Sequence, residues 1–205
     1  RAVALAEQGH WEAAHDVFKG AMGTIASLPI ELQRQALLKA VRAAVEVKYF
    51  AGAGKVLDEF NMVGLPPELE PAIAVLQGRI AEGLDIPTDA LRFYQTAAES
   101  TDREAAAQGR GDETEVEGQQ WLARLYTEEN RYRDAFRVMR AAITTHPNAR
   151  ATRLIQDGAA ATFESLFIGG RSDALPPVEA LGLFYDYREL TPIGRRGDEM
   201  IRRLA

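Results

Sequence analysis

Residues 131–147 read Arg131-Tyr132-Arg133-Asp134-Ala135-Phe136-Arg137-Val138-Met139-Arg140-Ala141-Ala142-Ile143-Thr144-Thr145-His146-Pro147. Ala135, Phe136, Met139 and Ala142 recur at the spacing of one helical face, and Pro147 breaks the pattern. Leu122, Leu125 and Tyr126 keep the same rhythm on a preceding helix. A small residue such as Ala135 suits the point where two helices cross, because a larger side chain there would push them apart. The residues at +4 and +7 from it share its helical face.

The same arrangement recurs. Ala14, Ala53 and Ala90 lie in Gly9-His10-Trp11-Glu12-Ala13-Ala14, Tyr49-Phe50-Ala51-Gly52-Ala53 and Ile86-Pro87-Thr88-Asp89-Ala90. At +4 from the four alanines stand Phe18, Leu57, Tyr94 and Met139, and at +7 stand Ala21, Phe60, Ala97 and Ala142. The key alanines are 39, 37 and 45 residues apart. No stretch alternates with a period of two over the length of a strand. Leu32, Ala36, Leu37, Ala40, Val41, Ala44 and Val47 add another helical face. The expected class is all-α.

These residues resemble the tetratricopeptide repeat, a helical hairpin of about 34 residues. The match is fullest from Leu122 to Pro147 and good from Gly9 to Ala21, while the two middle units are degenerate. The resemblance covers residues 1–149 and implies a right-handed α-solenoid of antiparallel helix pairs, about four units with the first truncated. Residues 150–205 read as further helix pairs or capping helices. Within them, Leu175-Pro176-Pro177 to Met200 looks like segments of long bacterial repeat proteins, several of them exported, which leans towards the cell envelope rather than the cytoplasm. An exposed insertion, or a join across absent residues, is expected near 101–118, where Gly109, Gly111 and Gly118 sit among acidic residues.

Composition narrows the chemistry. The 205 residues hold 24 Lys plus Arg against 30 Asp plus Glu, so the net charge is −6. With no Cys, disulfides, thiolate metal sites and cysteine nucleophiles are excluded. The 34 alanines favour helices that approach closely. No apolar run reaches the roughly 18 residues of a membrane span. Both ends read as cut within helices, which would leave apolar faces able to support weak self-association.

No catalytic constellation emerges. His10 and His15 are five apart and do not form a metal pair on one face, and no carboxylate cluster adjoins His146 in sequence. Gly52-Ala53-Gly54-Lys55 lacks the upstream Gly and the following Ser or Thr of a phosphate loop. The tripeptides Arg110-Gly111-Asp112 and Arg196-Gly197-Asp198 are short enough to arise by chance. Neither a metal nor a cofactor is expected. Arg133, Arg137 and Arg140 form a stripe on one helix, but interleaved acids and the acidic whole favour a solvated face over nucleic-acid binding.

The repeat register places Arg42, Arg79 and Arg124 at one position of three successive first helices, with Lys39, Leu76 and Trp121 one turn earlier and Glu46 and Glu128 one turn later. In the family that position lines a concave groove, which implies a peptide or helix as ligand. Lys39, Arg42, Arg79, Trp121 and Arg124 are the groove candidates, and their cations suggest an acidic partner segment. The reading is a non-catalytic interaction scaffold. The alternatives are an accessory helical domain of a larger enzyme and a nucleic-acid-binding helical repeat.

Overall fold

The computed structural model describes residues 1–99, 111–170, 175–190 and 194–204. All regular structure among them is helical. The chain divides into two compact units, 1–100 and 101–205. The first holds α1 (Ala2–Glu7), α2 (Trp11–Ile25), α3 (Ile30–Glu46), α4 (Phe50–Val63), α5 (Glu70–Gly83) and α6 (Pro87–Ala98), with a 3-10 turn at Pro67–Leu69. The second holds α7 (Gly111–Glu128), α8 (Tyr132–Thr145), α9 (Arg150–Phe167), α10 (Pro177–Asp186) and α11 (Arg195–Leu204), with a 3-10 turn at Arg188–Leu190.

One turn is built four times. Gly9, Lys48, Asp85 and Asn130 all take left-handed backbone, with φ of 77°, 61°, 61° and 60°. Each lies five residues before its key alanine. The next backbone N–H then closes on a carbonyl five residues back: His10 on Leu5 at 2.9 Å, and Tyr49 on Ala44, Ile86 on Ala81 and Arg131 on Tyr126 at 2.8 Å. A second bond, spanning three residues, runs inside each, from Gly9 to Ala6, Lys48 to Val45, Asp85 to Glu82 and Asn130 to Thr127. This is the Schellman ending, which satisfies the last carbonyls of one helix and reverses the chain. The following residue starts the next helix, and none of the four N-cap side chains bonds the backbone there. The reversal is thus made by the end of one helix and not by a cap on the next.

Packing follows the turn. Ala14, Ala53, Ala90 and Ala135 are fully buried, and Phe18, Leu57, Tyr94 and Met139 at +4 are buried with them. At +7, Phe60, Ala97 and Ala142 are buried and Ala21 is half-buried. In the first unit α3 packs on α1, α2, α4 and α5, and α5 packs on α6. Ala36, Leu37, Ala40, Val41, Ala44 and Val45 of α3 form the centre of its core. In the second unit α7, α8 and α9 pack on one another and α9 also meets α11. Phe136, Phe163, Phe167, Phe184 and Tyr187 supply an aromatic cluster with ring centres 4.7–5.7 Å apart.

By its contacts the chain divides near residue 100, and α9 packs directly on the α7–α8 hairpin. The expected insertion at 101–118 does not extend through Gly118: α7 starts at Gly111, and Val116 is fully buried in it. Its acidic residues share the helix with buried positions, so acidity alone misreads it as a loop. Residues 101–110, with Gly109 and Arg110, lie outside the described residues.

Candidate functional site

The groove candidates fall in both units. In the first, α3 carries Lys39 and Arg42 and α5 carries Arg79. Lys39 is half-buried. Arg42 and Arg79 converge on one carboxylate: Arg79 grips Glu46 with two nitrogens, Nη2 reaching Oε2 at 3.2 Å, and Arg42 Nε lies 3.7 Å from Oε1. The two arginines therefore meet at one carboxylate between α3 and α5. The Arg79 guanidinium ties α5 to α3, and Arg42 approaches the same carboxylate along its own helix. Leu76, expected on the groove face, is 1% exposed and belongs to the core.

In the second unit Trp121 and Arg124 share a face of α7. The Arg124 guanidinium lies 4.9 Å from the centre of the Trp121 ring, and its Nη1 pairs with Glu128 at 2.6 Å. These residues line a groove of about 340 Å³. Trp121, Arg124, Thr127 and Glu128 form the α7 wall, Leu154, Ile155, Gly158 and Thr162 the α9 wall, and Met139 of α8 closes the base. The spacings 121, 124, 128 and 154, 155, 158, 162 are successive turns of two helices, so both walls are regular helix faces. Leu154 is 58% exposed. The Thr127 hydroxyl donates to the Ala123 carbonyl at 2.9 Å and is turned towards its own helix.

A shallower, more open recess of about 410 Å³ in the first unit is lined by Gly9, His10, Trp11, Glu12, Ala13, Glu46 and Val47. Its lining is half polar, and its chief charged wall, Glu46, is already held by Arg79.

His146 meets one carboxylate: its Nε2 is 3.1 Å from Glu115 Oε2, and Gln119 Nε2 donates to the other oxygen at 3.1 Å. Thirty-one positions separate His146 and Glu115 in the chain, so no local motif could reveal the pair. It joins the first turns of α7 to the α8–α9 junction, where Glu113 also accepts the Arg150 backbone N–H at 2.9 Å. The pair lines neither cavity. No group of three or more His, Asp or Glu among the described residues could hold a metal ion.

The Arg133, Arg137, Arg140 stripe is spent within the unit. Arg133 pairs with Asp186 at 2.6 Å, and Arg140 donates to the Asp186 carbonyl at 2.8 Å and to Glu189 at 3.2 Å. Arg137 pairs with Asp134 on its own helix at 2.8 Å. Arg133 and Arg140 thus hold the end of α10 and the 3-10 turn after it. The second Arg-Gly-Asp tripeptide lies within α11, with Gly197 buried.

No helix among the described residues is long and apolar enough to cross a membrane. The chain matches no family model, no curated protein and no solved structure.

Proposed function

We propose that this chain is a helical-repeat scaffold of the tetratricopeptide type, a solenoid-forming array without catalytic work of its own that binds a segment of another protein. The observation that carries the proposal is the groove between α7 and α9, open at the surface, apolar in most of its lining and bounded by Trp121 and Leu154. Four hairpins with the same turn and the same buried alanine support the repeat reading. Stacked hairpins of this kind present extended surfaces suited to peptide segments.

Recognition by the arginines is a smaller part of the proposal than the sequence suggests. Arg42 and Arg79 already hold Glu46, and Arg124 already holds Glu128. A partner carboxylate would have to displace an intramolecular one.

The test is selection of a displayed library of random 12-residue peptides on the immobilised chain. Recovery of peptides that compete with one another for one site, at micromolar affinity, is the expected result. Failure to enrich any peptide overturns the scaffold proposal.

A further inference from the structure

The α7–α9 groove has one wall position without a side chain, Gly158. A helical glycine costs roughly 1 kcal/mol relative to alanine. Packing does not require it, because a Cβ built on Gly158 meets nothing within 4 Å. The contrast with Gly78 is direct: a Cβ there would collide with the Tyr94 ring. Gly20, Gly23 and Gly54 are as unconstrained as Gly158 but line neither described cavity. Gly9 lines the first-unit recess with as much room, but its φ of 77° already calls for glycine there. Among the described helical glycines with open surroundings, Gly158 is the one that lines a cavity.

The groove's charge then selects its occupant. Arg124 and Glu128 are its two charged lining residues, and they neutralise each other at 2.6 Å. Placing a charged ligand group against this mostly apolar lining would cost desolvation with no net opposite charge to offset it. A volume of about 340 Å³ is at the small end of ligand-binding cavities, about 300–1,000 Å³. It suits one bulky side chain. Trp121, Met139, Leu154 and Ile155 offer that side chain aromatic, thioether and branched apolar contacts.

Resting on the scaffold reading above, we infer that the partner segment docks by burying one large uncharged apolar side chain, Phe, Leu or Met, against Trp121 and Leu154, and that Gly158 sets the size it accepts.

The experiment uses the 12-residue peptides selected on the whole chain. The expected consensus is a single bulky apolar residue, and replacing it with Ala weakens binding at least tenfold. Gly158→Leu, which fills the groove, weakens the same peptides at least tenfold while its thermal midpoint stays at or above the parent's. Gly54→Leu, the equivalent change away from the groove, leaves their affinity within twofold. The Trp121 indole N–H resonance shifts on binding in the parent and not in Gly158→Leu. A consensus built on Asp or Glu that is lost in Arg79→Ala and indifferent to Gly158→Leu overturns the inference and leaves the scaffold reading standing. An apolar consensus that binds Gly158→Leu as well as the parent also overturns it. Enrichment of no peptide removes both.

Discussion

The Tyr94 ring occupies the space that a side chain on Gly78 would need, and its hydroxyl donates to Glu82 Oε2 at 2.8 Å, one helical turn further along α5. Tyr94 is the +4 residue of the third hairpin, fully buried. The α6 aromatic therefore sits directly against the α5 backbone, and Gly78 is what lets it approach. In most helix interiors Gly→Ala stabilises by roughly 0.5–1 kcal/mol. Here Gly78→Ala should destabilise by about 1–3 kcal/mol through overpacking, while Gly158→Ala should stabilise by about 1 kcal/mol. Urea denaturation of both variants reads the opposite signs; a shared sign would show that the α5–α6 packing is looser than described.

The four turns give a second prediction. Lys48 and Asp85 hold φ near +60°, a region that costs a non-glycine residue about 1–2 kcal/mol. Glycine relieves that cost but gives back about 0.4–1 kcal/mol through the unfolded chain. Lys48→Gly should therefore stabilise by roughly 0.5 kcal/mol. Gly9→Ala, at φ 77°, should destabilise by about 1 kcal/mol or more. Thermal midpoints of the two variants should move in opposite directions.

These turns also mark how far the sequence could be read. The alanine at each crossing and its +4 partner are visible because packing constrains their size, and all eight are buried as the alignment places them. The turn itself is less visible. Gly9 and Asn130 suit left-handed backbone, but Lys48 and Asp85 do not announce it. Of the α7–α9 cavity lining, the sequence singled out Trp121 and Arg124, whereas Leu154, Ile155 and Gly158 lie beyond Pro147, where the repeat period is lost. The ion pairs that join separate helices were hidden. Glu46 is one turn from Arg42 but 33 positions from Arg79, and Asp186 is 53 positions from Arg133.

His15 sets a pH dependence. Its ring meets Tyr49 edge-on with centres 5.6 Å apart. Burial, and then the Lys19 charge, hold His15 below the ordinary histidine range, with Asp16 opposing them. The unfolded chain therefore takes up this proton more readily than the folded one. The contribution of neutral His15 is fully present above the unfolded value of about 6.5 and is lost as pH falls through the lower folded value. His15→Phe should lose less stability than the parent between pH 7 and pH 5. Urea midpoints across that range check it, and parallel curves for the two proteins would exclude the effect.

Arg79 and Arg124 occupy the same repeat position but have different energetic fates, and the cause lies four residues on. Arg124 has Glu128 at that point and closes a pair along its own helix, with the two side chains 34% and 55% exposed. The equivalent residue after Arg79 is Gly83, where the Phe50 ring leaves no room for a side chain. Arg79 turns instead to Glu46 on α3, a carboxylate that Arg42 also approaches, and the Arg79 and Glu46 side chains are only 14% and 22% exposed. Surface pairs one turn apart contribute about 0.3–0.5 kcal/mol, so Arg124→Ala and Glu128→Ala should change stability little. The less exposed cross-helix pair should behave otherwise. Glu46→Ala and Arg79→Ala should each cost about 1.5–3 kcal/mol, since each removes a charged hydrogen-bond partner from a half-buried group. Their double variant should cost at least about 0.5 kcal/mol less than the two singles added together, the mark of direct coupling. The same cycle on Arg124 and Glu128 should be additive within about 0.5 kcal/mol. Additivity at Glu46 and Arg79 as well would mean the pair does not hold α3 to α5, and that both groups are open to a partner's charges instead.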